Sequence, residues 1–122
     1  MTFNDNNKAI YLQIADKLCD DVMLGATKSG DRIPSVREYA AHLEVNANTV
    51  MRSYEYLERN GIIFNRRGIG FFIAENARET ILAIRRESFF NEEIHYFLRQ
   101  LMTLGISPDE LKTIYSNYLN RK

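Results

Sequence analysis

Apolar residues near the start of the chain come in adjacent pairs repeated every four positions: Ile10-Tyr11, Ile14-Ala15, Leu18-Cys19 and Val22-Met23. That spacing predicts an amphipathic packing helix over Ala9 to Leu24, ended by Gly25. Lys28-Ser29-Gly30-Asp31 reads as a turn, and Arg32-Ile33 as a short extended piece pinned by Pro34, which disfavours helix in the residue before it. Ser35-Val36-Arg37-Glu38 then spells a capping box, with an apolar stripe of Tyr39, Ala40 and Leu43 behind it. After a break at Glu44 to Asn46 a further helix follows, capped by the Asn46 side chain and closed by Gly61, which accepts the left-handed conformation. Its Val50, Tyr54 and Leu57 recur at helical spacing and face a core. Asn48, Thr49, Arg52, Tyr56 and Arg59 are left on the other side, a polar row without carboxylates toward its N-terminal end.

The period then changes. Ile62-Ile63-Phe64 and Ile69-Gly70-Phe71-Phe72-Ile73 have strong β preference and are joined by a turn at Asn65-Arg66-Arg67-Gly68. Helical spacing returns from Ala77 to Leu104, predicting one long helix with a bend near Ser88 to Asn91. Gly105 stops it, and Ser107-Pro108-Asp109-Glu110 starts another with a cap, a proline in the first turn and acids behind it. The expected fold is mainly α, in the α+β class. A winged helix-turn-helix domain with a two-stranded β wing occupies residues 1–76, and a two-helix dimerisation hairpin occupies residues 77–122. Residues 1–7 are polar and expected to fray.

Two consecutive short helices in this arrangement set the second one, residues 46–60, to enter a DNA major groove. Global charge does not help, because 16 basic and 16 acidic residues cancel. Attraction to phosphates must come from local distribution. Arg66 and Arg67 lie at the hairpin turn, and no acid falls between Arg59 and Glu75 to offset them. Taken alone that turn reads equally as a solvated loop or as a phosphate contact; beside the helix pair, contact with backbone or minor groove is favoured. The single cysteine, Cys19, sits on an apolar face and reads as inert core. No apolar run resembles a signal peptide or a membrane span, so a cytoplasmic protein is expected. His42 and His95 have no metal-binding companions. No catalytic motif is present, so neither an enzyme, a cofactor nor a metal is expected.

The motifs I-Y-L-Q-I-A-D-K-L, S-G-D-R-I-P-S-V-R-E-Y-A, V-N-A-N-T-V-M-R-S-Y-E-Y-L-E, G-I-I and R-R-G-I-G-F-F-I, in that order, resemble the DNA-binding domain of GntR-family bacterial transcription regulators. The match spans Ile10 to Ala74. The resemblance implies a regulator, in the expected case a repressor, that binds a palindromic double-stranded operator as a homodimer. It points to Ser35, Arg37, Asn46, Asn48, Thr49, Met51, Arg52, Arg66, Arg67 and Gly68 as the DNA-contacting set, with Arg37 in the P-S-x-R-E motif and the wing at residues 65–69. The short tail, with the V-N-x-N-T-V-M-R pattern, is similar to the YtrA-like subfamily. Ala47, Met51 and Ile69 stand where many relatives carry basic residues, so fewer phosphate contacts and a shallower salt dependence are expected. Base reading then falls to Asn48 against adenine, Arg52 against guanine and Met51 against a thymine methyl.

The tail carries more aromatics than a hairpin of its size can bury alone. Pairing with a second copy through Phe89, Phe90, Ile94, Phe97, Leu98, Leu101, Leu111, Ile114, Tyr115 and Tyr118 covers them and supplies two-fold symmetry; folding back onto the chain's own winged helix is the competing arrangement. Those aromatics also offer a pocket to a small-molecule effector of unknown identity, although core or interface is the commoner use of such stripes. The rival function class is a winged helix used for protein contact without DNA binding, and it predicts no salt-linked affinity for duplex.

Overall fold

The computed structural model describes residues 8–121, so the expectation of a frayed segment at residues 1–7 lies outside the described residues. The chain divides into two compact units, Met1–Ala83 and Ile84–Lys122, and the division falls inside a helix. In the first unit α1 (Ile10–Met23) buries Ile14, Ala15, Leu18, Cys19 and Val22, the inner part of the paired stripe. It packs against α3 (Ala47–Arg59), as does α2 (Val36–Leu43).

The capping box forms as the spacing predicts. The Glu38 amide donates to Ser35 Oγ at 3.1 Å and the Ser35 amide donates to Glu38 Oε1 at 2.9 Å. The Ser35 backbone amide, then its hydroxyl, hold the Glu38 carboxyl below the usual carboxylate range. The turn between the two helices depends on Glu44, which takes the left-handed conformation at φ 57° and ψ 47°. This is the one non-glycine with positive φ among the described residues. A residue with a Cβ is strained there by on the order of 1 kcal/mol. The backbone is nonetheless satisfied, because the Val45 amide reaches back to Ala40 O at 3.0 Å.

In α3 the buried residues are Val50, Ser53, Tyr54 and Leu57. Tyr54 joins three elements: its hydroxyl donates to Pro34 O at 2.6 Å, and its ring meets Phe71 edge-on at 5.0 Å. Burial, with the Asp21 charge adding to it, pushes the Tyr39 phenol up to about 12. Burial, then Tyr39 and Glu38, push Tyr54 further in the same direction. A raised phenol pKa means the folded state holds its proton more tightly than the unfolded chain. The associated stability is complete below the ordinary value of 10 and is lost as pH rises through about 12. Melting followed by circular dichroism should therefore show the midpoint falling above pH 10, and Tyr39→Phe should flatten that fall. Tyr54→Phe should flatten it too, while costing ~1–2 kcal/mol at neutral pH because Pro34 O loses its donor. An alkaline limb identical in wild type and both variants would refute the assignment.

β1 (Ile63–Arg66) and β2 (Gly70–Ile73) pair antiparallel, with Ile63 opposite Ile73 and Arg66 opposite Gly70. The short extended piece before Pro34 joins them, as Arg32 bridges Phe72 and the Ile33 amide donates to Phe71 O at 3.0 Å. α4 (Ala77–Ser88) begins in this unit, where Ala77 and Ile81 are buried and the Arg78 guanidinium donates to Met23 O.

In the second unit the helix does not break near Ser88. It passes through one π turn (Phe89–Glu93), in which the Ile94 amide donates to Phe89 O five residues back, and continues as α5 (Ile94–Leu104). The irregularity expected at Ser88 to Asn91 thus takes the form of an accommodated extra residue. Gly105, at φ 71°, ends α5, and the Ile106 amide closes that end on Leu101 O at 2.9 Å. α6 (Pro108–Leu119) starts at Ser107, whose hydroxyl accepts from the Glu110 amide at 3.1 Å. Among the described residues no helix is long and apolar enough to cross a membrane.

Candidate nucleic-acid interface

α3 is oriented by its buried side and capped by Asn46, whose Oδ1 accepts from the Asn48 amide at 2.7 Å. The cap leaves Asn48 to present its own side chain outward. Asn48 and Arg52 are exposed, Met51 is 43% exposed, and Thr49 is half-buried. From Ala47 to Tyr54 the helix carries no carboxylate, so the positive end of its dipole and its donors are unopposed by side chains of that segment. Arg37 is exposed on the first turn of α2, while the Ser35 hydroxyl is engaged in the capping box and Ser35 itself is half-buried.

Two side chains in this region do more than their spacing announces. Ser53 is fully buried, with Oγ 2.7 Å from Tyr11 O and 3.1 Å from Thr49 O. It ties α3 to the first turn of α1. Arg52 lies with its guanidinium 4.2 Å from the centre of the Tyr11 ring. Tyr56, expected on the outward row, is half-buried instead. Burial is the main cause of its raised phenol pKa, and Arg59 lies 6.0 Å over its ring.

The wing differs from expectation in its boundary. Asn65 and Arg66 were expected in the turn; both are strand residues, because the register runs on to Arg66 opposite Gly70 and leaves a loop of Arg67, Gly68 and Ile69. Gly68 at φ 78° makes that loop possible, and the Ile69 amide closes it on Arg66 O at 2.8 Å. Only Arg67 of the two arginines sits at the tip. Arg66 projects over the Phe72 ring at 5.7 Å, beside the stacked Phe64–Phe72 pair. Gly70 is constrained for a different reason: a Cβ there would lie 2.9 Å from Arg32 Nε.

In the tail neither α5 nor α6 holds a buried residue. Phe89, Phe90, Phe97, Leu98, Ile114, Tyr115 and Tyr118 are exposed, whereas Ile94, Leu101 and Leu111 are half-buried. A hollow of about 650 Å³ lies along Phe89, Glu92, Glu93, Tyr96, Phe97 and Gln100. All six fall on one side of the same helical run, so it is an open helix face and not an enclosed ligand pocket. Among the described residues no group of three or more histidines, cysteines and carboxylates is placed to hold a metal ion.

With this geometry in view, residues 10–73 match the family of bacterial regulatory proteins called the gntR family. The HTH-type transcriptional repressor YtrA of Bacillus subtilis is 45% identical over 102 residues, covering 84% of this chain and 78% of that protein. The HTH-type transcriptional regulator YhcF of the same organism is 40% identical over 106 residues, covering 87% and 86%. Among solved structures, a GntR-family transcriptional regulator from Bacteroides thetaiotaomicron superposes with a TM-score of 0.81 at 55% identity, over 93% of this chain and 98% of that one.

Proposed function

The chain belongs to the gntR family of bacterial regulatory proteins, as a helix-turn-helix transcription regulator, and we propose that it represses transcription as a homodimer seated on a palindromic operator. The observation that carries this reading is the row on α3: Asn48 and Arg52, exposed on a carboxylate-free turn and a half, beside a wing tipped by Arg67. In the reading, α3 enters the major groove, Asn48 pairs with adenine through N6 and N7, and Arg52 takes guanine through O6 and N7. Met51 packs on a thymine methyl. Arg37 and Arg67 hold the duplex by its phosphates, or the wing reaches into the minor groove. Arg66, directed over Phe72, takes a backbone contact from the side of the wing.

The dimer follows from the tail. Its exposed Phe89, Phe90, Phe97, Leu98, Ile114, Tyr115 and Tyr118 form an apolar surface far larger than scattered exposed residues make, and a second copy of the same surface covers it with the symmetry a palindrome needs. The similarity to the repressor YtrA supports the sign of regulation.

The test is selection of duplexes from a randomised library by the purified protein, followed by fluorescence anisotropy on the enriched sequence and on a scrambled one across a salt series. A two-fold symmetric consensus, held far more tightly than the scrambled duplex and weakening as salt rises, is the expected result. Substituting Asn48 with alanine should relax preference at a single adenine by about 1–3 kcal/mol and leave the other positions as they were. A loss spread evenly over all sequences would demote Asn48 to a positioning contact. No enrichment and no salt-linked affinity would instead favour the use of this winged helix as a protein-contact module.

A further inference from the structure

Arg52 is the strongest hydrogen-bond donor on the outward side of α3, and a free arginine on a helix surface samples many rotamers. Here it does not stand alone. Its guanidinium lies 4.2 Å from the centre of the Tyr11 ring, a residue that opens α1, a helix with no other part in the DNA-facing set. Tyr11 is half-buried, and its backbone is fixed to α3 at the neighbouring position, where the fully buried Ser53 holds its hydroxyl 2.7 Å from Tyr11 O. The ring is therefore in register with Arg52 through the backbone as well as through the stack.

A guanidinium that stacks uses a face of its plane and keeps its edges. Those edges carry the N–H fork that matches the two acceptors of guanine, so stacking on Tyr11 and pairing with a base are compatible. Ordering the side chain before binding removes part of the entropy cost of the contact. Ala47 and Met51 offer no second cation on this helix face, so the orientation of Arg52 carries unusual weight. We propose that Tyr11 is a positioning residue for sequence reading: its ring, from outside the helix-turn-helix, sets the Arg52 guanidinium for fork-like recognition of a guanine. This rests on the operator-binding reading above and adds to it a residue that never touches DNA.

The test uses the full chain, the duplex enriched from the randomised library by the wild type, and a scrambled duplex of the same composition. Tyr11→Phe keeps the ring and should retain wild-type affinity for both. Tyr11→Leu should lose about three- to tenfold on the enriched duplex, with the scrambled duplex changed less than about twofold. The loss should concentrate at one guanine in a base-substitution scan. Combined with Arg52→Ala, Tyr11→Leu should add nothing further, since the two act through one contact. The melting temperature of each variant accompanies the binding data, because a destabilised α1 would weaken both duplexes together.

Parallel loss on both duplexes, additive losses in the double variant, or undiminished discrimination by Tyr11→Leu would each overturn the inference while leaving the operator reading intact. A wild-type protein that enriches no sequence would remove the operator reading and this inference with it.

Discussion

Replacing Phe97 and Leu98 together with glutamate should turn the protein into a monomer at micromolar concentration and cut its affinity for a palindromic duplex by about 100-fold or more. Both side chains are exposed in the isolated chain, at 41% and 45%, so neither substitution removes a buried contact from the subunit. In a dimer built on this face each glutamate would have to shed its water among phenylalanines and tyrosines without a partner, which costs far more than the lost apolar contact. Loss of pairing then costs the second half-site. A linked pair of readers benefits from an effective concentration that raises affinity by about 10²–10⁴ over one reader alone. Sedimentation velocity and anisotropy on one preparation check both halves of the claim. A double variant that still sediments as a dimer, or that binds the palindrome as the wild type does, would exclude this face as the pairing surface.

The second large effect is on folding. Leu57 is completely buried on α3, the helix against which α1, α2 and β1 all pack. Truncation to alanine leaves a cavity that three other elements line, and such sites cost about 2–5 kcal/mol. Against a typical total of about 5–15 kcal/mol, this should lower the melting temperature by about 10 °C or more. Met51→Ala, on the opposite side of the same helix and 43% exposed, should stay within about 0.5 kcal/mol of wild type. Equal melting temperatures for the two variants would mean that α3 is not oriented as described.

Features written in local spacing could be read from the chain. Val50, Tyr54 and Leu57 repeat at the helical interval and are all fully buried. Ser35 and Glu38 are three apart and make both bonds of the capping box. Asn46, Gly61, Gly105 and Ser107 mark helix ends at which the structure starts or stops a helix. What remained hidden depends on contacts between distant positions. Ser53 looks like an ordinary surface serine until the carbonyl of Tyr11, 42 residues earlier, is placed beside it. The Tyr11–Arg52 stack leaves no periodic trace for the same reason. Tyr56 was put on the outward row because period alone cannot say how wide a stripe the neighbouring helix covers. Asn65 and Arg66 were read as turn residues from their polarity, but strand register is set by pairing, and pairing extended two residues beyond the apolar run. Glu44 gave no sign of its left-handed backbone, a position where glycine or asparagine is the usual signal.

The π turn at Phe89–Glu93 bears on how such proteins diverge. Each residue added to or removed from an α-helix swings everything downstream through ~100°, and a turn that already carries one extra residue can give it up without losing its hydrogen bonding. A sister gene with a single codon deleted there would keep its operator preference and turn its tail aromatics to a different compass point. Two such paralogues in one cell would then assemble only with themselves, and their regulons would stay insulated.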